Sequence, residues 1–184
     1  MRDYIKITTT TLFYAMFVFS VILLVFSGFS LLALFSFGWF LVSSIVFKIM
    51  DKRNINSKYK LLVVIAVWLG LLGVASLYET FQYYDKVIHF IIGFFITLIV
   101  YAYFVKNLNH SPKKIMVLLS TLGILTFWEF AEFFADTFFG LHAQGVFSSA
   151  GQTLMSPNTD TMLDLITGAL GSLMCLAFKR GEVI

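Results

Sequence analysis

Carboxylate and imidazole side chains recur at helical spacing in the second half of this 184-residue chain. They fall into three groups, which are Asp85 with His89, then Glu129 with Glu132 and Asp136, and finally Asp160 with Asp164. Within each group the residues are three, four or seven positions apart, so each group occupies one face of a helix. If these faces converge, carboxylate oxygens and one imidazole surround a common point. Such a site binds protons or a divalent metal, namely Mg²⁺, Mn²⁺, Ca²⁺ or Zn²⁺.

These side chains differ in the roles that they can take. We predict six metal ligands, which are His89, Glu129, Glu132, Asp136, Asp160 and Asp164. His89, oriented by Asp85, is the predicted ligand or general acid/base, and Glu129 is a further candidate catalytic residue. A divalent metal is therefore the expected cofactor. The one cysteine, Cys175, lies at the opposite end of the last apolar run, so thiolate-preferring metals are not expected.

The elements that must position these groups are membrane-spanning helices. The chain is 59% hydrophobic and 12% charged, and it contains 22 Phe, which is typical of a polytopic membrane protein. A span needs about 20 apolar residues to cross about 30 Å of hydrocarbon. Such runs predict six spans, near 9–27, 30–49, 60–79, 86–105, 114–138 and 160–178. We therefore expect an all-α fold in which residues 1–184 form a single transmembrane domain.

The distribution of charge indicates how these spans are oriented. When they cross the membrane alternately, twelve of the thirteen Lys and Arg residues fall on one side, as is typical of the cytoplasmic side. Both termini are then cytoplasmic, and the protein is a multi-pass protein of the cell membrane. The outer side holds Lys86 and seven of the ten acids. Because basic loops beside a membrane usually set orientation, we expect the lipid bilayer as a partner and no nucleic acid.

Two parts of this topology have alternatives. Residues 1–27 resemble a secretory signal peptide, but their apolar stretch is longer than the usual core of about 7–15 residues, which favours retention as a span. The loop near 140–159 is rich in Gly and Ser, and it is long enough for a lid or binding loop. A flexible connection is the alternative for this loop. His142 within it is more typical of a solvated residue than of a catalytic one.

The acidic groups also have a structural interpretation. Asp85 or Asp160 could cap the N-terminus of a helix, and His89 could form an ordinary hydrogen bond between helices. This interpretation fits Glu129, Glu132 and Asp164 poorly, because they lie further from the helix ends. There an ionised side chain costs about 2.5–3.5 kcal/mol in a membrane.

Several catalytic signatures are absent from the sequence. It contains no His-Glu-x-x-His, no Gly-x-Ser-x-Gly, no P-loop and no dinucleotide-binding glycine pattern. The Glu-x-x-His element of di-iron bundles is also missing, since the comparable element here is Glu129 followed by Glu132. The sequence therefore leaves open whether the protein is an enzyme.

Four ordered blocks of sequence carry a resemblance to a known family. They are residues 84–90 with Gly93, residues 128–132, residues 140–145, and residues 160–164 with Gly168 and Gly171. Over about residues 80–172 the chain resembles the YjdF-type family of uncharacterised prokaryotic inner-membrane proteins and, more distantly, the VanZ-like proteins. The second resemblance implies a role in the cell envelope. VanZ-like proteins usually have Gln and Asn where this chain has Glu132 and Asp164, so its site is more acidic.

Together these observations predict an uncharacterised membrane protein with an outward-facing carboxylate/His site. The site binds a metal or protons, and the resemblance implies a lipid-linked or cell-envelope ligand, over which the loop near 140–159 closes. One alternative is a cation- or proton-coupled transporter, although polar residues are sparse on the cytoplasmic side of His89 and Glu129. Another is a noncatalytic assembly subunit that uses Gly168 and Gly171 for close helix contact.

Overall fold

The computed structural model describes residues 2–27, 31–107, 113–140, 143–147 and 153–178. Most of these residues are helical. The helices are α1 (Arg2–Ser27), α2 (Leu31–Lys52), α3 (Ser57–Leu72), α4 (Tyr78–Thr80), α5 (Tyr84–Asn107), α6 (Lys113–Phe139) and α7 (Pro157–Phe178), with a π-helical turn at Gly73–Leu77. Two short strands, β1 (Val146–Phe147) and β2 (Thr153–Met155), form an antiparallel pair. The predicted all-helical class is confirmed.

The helix boundaries follow the lengths of the apolar runs. Both ends of each predicted span lie within three residues of the ends of a continuous helical segment. The exception is the start of α1, which lies at Arg2 instead of near residue 9. The predicted break between the first two spans falls at residues 28–30, outside the described residues. Among the described residues, α1, α5, α6 and α7 are long and apolar enough to cross a membrane. This part of the chain therefore has the composition of a multi-pass membrane protein.

The contacts divide the chain into two compact units, Met1–Ser76 and Leu77–Ile184. In the first unit, α1, α2 and α3 pack around Met16, Val67 and Leu71. Aromatic side chains surround this core, namely Phe13, Phe19, Trp39, Phe40 and Trp68. Trp68 Nε1 donates a hydrogen bond to Leu12 O at 3.3 Å, which joins α3 to α1. The single domain over residues 1–184 stays a prediction.

The second unit is a bundle in which α5 and α7 run parallel and α6 runs antiparallel to both. Lys86 at the start of α5 contacts Asp160 at the start of α7, and further along both helices Thr97 contacts Ser172. On α6, Thr121 in the first half of the helix reaches Thr97. The last turns of α6 therefore lie beside the first turns of α5 and α7.

Glycines allow α5 and α7 to approach closely. A Cβ atom on Gly93 would clash with the backbone of Gly168, and one on Gly171 would clash with the backbone of Phe90. A Cβ atom on Gly168 would also clash with the Leu125 side chain of α6. Small residues at such positions let helix backbones pack tightly in a membrane. The two glycines of the assembly-subunit alternative thus pack against other helices of the same chain.

A layer of three hydroxyl groups joins α5, α6 and α7 in the interior. Thr97 Oγ1 lies 2.8 Å from Ser172 Oγ and 3.2 Å from Thr121 Oγ1, and it donates to Gly93 O at 2.7 Å. All three hydroxyl-bearing residues are fully buried. Hydrogen bonds of this kind between membrane helices contribute about 0.6 kcal/mol on average, with a maximum near 1.7 kcal/mol.

Thr97→Val tests the contribution of this layer. The substitution keeps the shape of the side chain and removes its hydroxyl, so we expect the free energy of unfolding in detergent to fall by about 1 kcal/mol. Thr126→Val is the matched control, because Thr126 Oγ1 donates to Leu122 O of its own helix at 2.9 Å. If the free energy of unfolding fell equally in the two variants, the hydroxyl contacts between helices would make no contribution to stability of their own.

The predicted loop near 140–159 contains regular structure. Its described residues include β1, β2 and the start of α7, and Gly140 and Gly145 have left-handed backbone, with φ of 62° and 88°. Glycine adopts such angles without steric cost. Residues 141–142 and 148–152 lie outside the described residues, and the prediction for His142 falls there.

Candidate functional site

The ammonium group of Lys86 forms the centre of a cluster of ion pairs. Its Nζ lies 2.7 Å from both carboxylate oxygens of Asp164 and 3.0 Å from Asp85 Oδ2, and it also donates to Asp160 Oδ1. Lys86, Asp160 and Asp164 are at most 7% exposed. The groups meet because α5 and α7 are parallel, so that their first turns lie side by side. Both helix N-termini also favour nearby carboxylates.

Lys86 is a central site residue that sequence reasoning missed. The available signal was its charge, since it is the one basic residue that the topology assigns to the outer side, and it directly follows Asp85. Adjacent residues on a helix point in different directions, which gave no reason to group Lys86 with the acids. Its four-carbon stem, however, carries the ammonium group to the acids of α7.

The imidazole of His89 lies between two sets of carboxylates. Its Nε2 is 3.6 Å from Asp85 Oδ1 and 4.0 Å from Asp164 Oδ1, whereas its Nδ1 is 3.8 Å from Glu129 Oε1. The His89 side chain is 4% exposed. Single ligand atoms of Asp85, His89 and Asp164 all lie within 4.8 Å of one another, which is close enough for them to share a metal ion.

Glu129 is buried without a hydrogen bond of normal length. Neither of its carboxylate oxygens has such a partner among the described residues, and the same is true of His89 Nδ1, which faces it. The hydroxyl of Thr161 is close enough to interact electrostatically with the carboxylate. Buried polar atoms are usually hydrogen-bonded, and an exception is explained by strain, by a catalytic role, or by a water or ion that completes the contacts. His89 Nδ1 and the Glu129 carboxylate therefore face each other without a hydrogen bond of normal length.

Glu132 and Asp136 have other partners. Glu132 Oε1 accepts a hydrogen bond from Trp128 Nε1 at 2.6 Å, one turn back along α6. The carboxylate of Asp136 accepts the backbone N–H groups of Ala143 and Gln144. Two of the six predicted metal ligands therefore have other partners in this structure. Glu132 contacts the indole of Trp128, and Asp136 contacts the loop that contains Ala143 and Gln144.

Residues 143–145 lie against the acidic cluster. Gly145 N donates to Asp160 Oδ2 at 2.7 Å, and the Gln144 amide donates to Thr161 Oγ1 at 2.9 Å and to the Glu129 backbone carbonyl at 3.4 Å. Gln144 is 9% exposed, so its side chain covers this end of the bundle. Sequence reasoning did not select Gln144, although it lies in one of the four blocks that carry the family resemblance.

The capping alternative does not describe Asp160. Its carboxylate binds Lys86 and the loop, as described above. At the start of α7 it is instead Ser156 Oγ that accepts from Thr159 N, at 3.3 Å. Asp160 therefore joins the loop to the ion-pair cluster.

The charges of the cluster do not balance. Asp85, Asp160 and Asp164 surround one ammonium group, so the three carboxylates in their ionised form carry two more charges than Lys86 neutralises. Between residues 117 and 178, which include the rest of the cluster, the sequence contains no further Lys or Arg. Uncompensated charge away from water is costly, so such a site favours the uptake of positive charge.

The predicted convergence of polar side chains from three helices is confirmed, because α5, α6 and α7 bring a carboxylate/His cluster together. The geometry defines an all-helical membrane protein with a charged cluster buried in its second unit. The chain matches, over residues 5–181, the family described as predicted membrane protein (DUF2238), and it belongs to that family. The YjdF-type family corresponds to it, so that prediction is confirmed, whereas the more distant VanZ-like resemblance stays a prediction. No curated protein and no solved structure matches the chain significantly.

Proposed function

We propose that this protein binds one divalent metal ion inside the membrane, with His89 Nε2, Asp85 Oδ1 and Asp164 Oδ1 as ligands. The observation that supports the proposal is the spacing of these groups, which offer ligand atoms within 4.8 Å of one another. Two ligands that bind one ion at about 2.0–2.4 Å can be separated by at most about 4.8 Å. The spacing of the three ligand atoms is therefore compatible with one shared metal ion.

The charge of the cluster supports a divalent ion. Three ionised carboxylates and one ammonium group carry two net negative charges, which one divalent ion would neutralise. A mixed set of carboxylate oxygens and one imidazole nitrogen suits Mn²⁺ and Zn²⁺ better than Mg²⁺ or Ca²⁺, which prefer oxygen alone. Mn²⁺ and Zn²⁺ are therefore the first ions to test.

The topology of the sequence analysis is part of this proposal. With six spans and both termini in the cytoplasm, the metal lies in the outer half of the membrane, where the seven outer acids gather. The distant resemblance to VanZ-like proteins, which implies a role in the cell envelope, favours a lipid-linked or cell-envelope molecule as the ligand that binds at this metal. Gln144 and Gly145, which contact Thr161 and Asp160, would form the cover over that ligand.

A metal titration tests the proposal. Detergent-purified protein is stripped with a chelator and titrated with Mn²⁺ and Zn²⁺, and we expect one ion per chain. Asp51→Asn is the control, because Asp51 is exposed and pairs with Lys60 at 2.6 Å in the first unit. That variant should bind like the wild type. Wild-type protein that binds neither ion would refute the proposal.

Glu129→Gln separates a ligand from a positioning residue. Glu129 faces His89 Nδ1 at 3.8 Å, so an approach of about 1 Å would let its carboxylate accept the imidazole proton there and leave Nε2 free for metal. Loss of such an orienting carboxylate typically weakens metal affinity by about 10–100-fold. We therefore expect that weakening in the titration, with one ion per chain retained.

The matched control is Glu132→Gln, which changes an acid one turn further along α6 whose partner is Trp128. We expect less than about a threefold change in affinity, below the range for an orienting partner. If Glu129→Gln abolished binding at any metal concentration, Glu129 would itself be a ligand, as the sequence predicts.

Cation- or proton-coupled transport is the second candidate, and one observation favours it. About two turns below His89, Glu129 and Asp164, the same three helices carry the buried hydroxyl groups of Thr97, Thr121 and Ser172. The side chain of Leu125 and the paired glycines separate these two polar layers. Mn²⁺ or proton flux in proteoliposomes that disappears in Glu129→Gln would support transport. Tight binding without flux would support a closed site.

A further inference from the structure

Lys86 is a permanent neighbour of the proposed metal. Its ammonium group contacts Asp85 through Oδ2 and Asp164 through both carboxylate oxygens, so it touches two of the three proposed ligands. It is 7% exposed, and Asp160 holds it on a further side. An ammonium group that is bound by three carboxylates and shielded from water has a fixed position and is weakly screened.

This fixed charge affects ions of different valence unequally. The repulsion between Lys86 and a bound ion grows in proportion to the charge of that ion, and so does the attraction of the carboxylates. With Lys86 present, the carboxylates that contact it leave two negative charges, and without it they leave three. When the ammonium charge is removed, the binding free energy of a trivalent ion therefore improves one and a half times as much as that of a divalent ion.

We infer that Lys86 is a specificity-determining residue of this site, because its positive charge lowers the preference of the site for trivalent over divalent cations. The inference rests on the proposed function, since it concerns the same metal. Lys86 acts through the electrostatic field at the ligands and need not touch the ion. Asp160, which contacts Lys86 but is not a proposed ligand, tunes the same charge in the opposite direction.

The test compares the affinities of Mn²⁺ and Tb³⁺ in four proteins. Lys86→Met adds one net negative charge, Asp160→Asn removes one, and the double variant restores the count of the wild type. If Lys86→Met strengthens Mn²⁺ binding tenfold, proportionality to charge predicts about a thirtyfold gain for Tb³⁺. We expect the ratio of Tb³⁺ to Mn²⁺ affinity to rise in Lys86→Met, to fall in Asp160→Asn and to return towards the wild-type value in the double variant.

Lys86→Arg keeps the charge and should keep the wild-type ratio. If Lys86→Met does not fold, Asp160→Asn and the double variant still test the dependence on charge, because their ratios must differ in the stated direction. A ratio that is the same in all folded variants, while the wild type binds Mn²⁺ normally, would overturn this inference and leave the metal site standing. A wild type that binds no Mn²⁺ and no Zn²⁺ would remove both.

Discussion

Asp164→Asn abolishes stoichiometric metal binding, with an expected loss of affinity greater than about 100-fold. Substitution of a residue that merely orients a ligand already costs about 10–100-fold, and Asp164 is proposed as a ligand. The variant also removes one of the two excess negative charges of the cluster. Its amide keeps the shape of the side chain, and Lys86 retains Asp85 and Asp160 as partners. The measurement is the same Mn²⁺ and Zn²⁺ titration in detergent.

Two comparisons make this result specific. Asp51→Asn, at an exposed ion pair in the first unit, should bind metal like the wild type. The far-ultraviolet circular dichroism of Asp164→Asn should also match that of the wild type. Retention of one tightly bound ion per chain in a folded Asp164→Asn variant would exclude Asp164 as a ligand and shift the site towards Glu129.

Gly93→Ala and Gly171→Ala each lower the free energy of unfolding by about 3 kcal/mol or more. Extra atoms in a packed interior usually cost about 1–3 kcal/mol, and the cost is highest where the clash cannot be relieved by a rotamer change. Here a Cβ atom would meet backbone atoms of Gly168 or Phe90, so the helices themselves must separate. Because the same contact brings His89 and Lys86 to Asp164, metal affinity should fall with stability. Thermal unfolding in detergent and metal titration measure the two effects.

Gly123→Ala is the control for these variants. Outside the adjacent backbone of its own helix, no atom lies within 4 Å of a Cβ placed on Gly123, which is a residue of α6. Since Ala is a better helix former than Gly by about 1 kcal/mol, this variant should be as stable as the wild type or slightly more stable. If Gly93→Ala and Gly171→Ala behaved like Gly123→Ala, the close approach of α5 and α7 would not be needed for the fold.

The helices of this protein are predictable because the length of an apolar run determines them. The requirement of about 20 apolar residues located α5, α6 and α7 to within three residues at each end. Helical periodicity also predicted that Asp85 and His89 share a face, as do Asp160 and Asp164. The contacts of α5 with α7 agree with both pairs.

Tertiary contacts decided the details that the sequence could not predict. Asp136 follows the same helical spacing as Glu129, but its oxygens accept N–H groups from Ala143 and Gln144. Periodicity gives the direction of a side chain and not the backbone that a loop brings to it. The same limit applies to Lys86, whose flexible stem reaches acids far away in sequence, and to Gly145, whose N–H meets Asp160.

Anomalous scattering at the manganese or zinc absorption edge, from crystals of the metal-loaded protein, tests the His89-centred site most directly. We predict one peak per chain between His89 Nε2 and the carboxylates of Asp85 and Asp164, at about 2.0–2.4 Å from its ligand atoms, with Lys86 still beside it. The proposed site would be contradicted if crystals grown with excess metal showed the peak away from His89. It would also be contradicted if His89, Asp85 and Asp164 surrounded Lys86 without a metal peak between them.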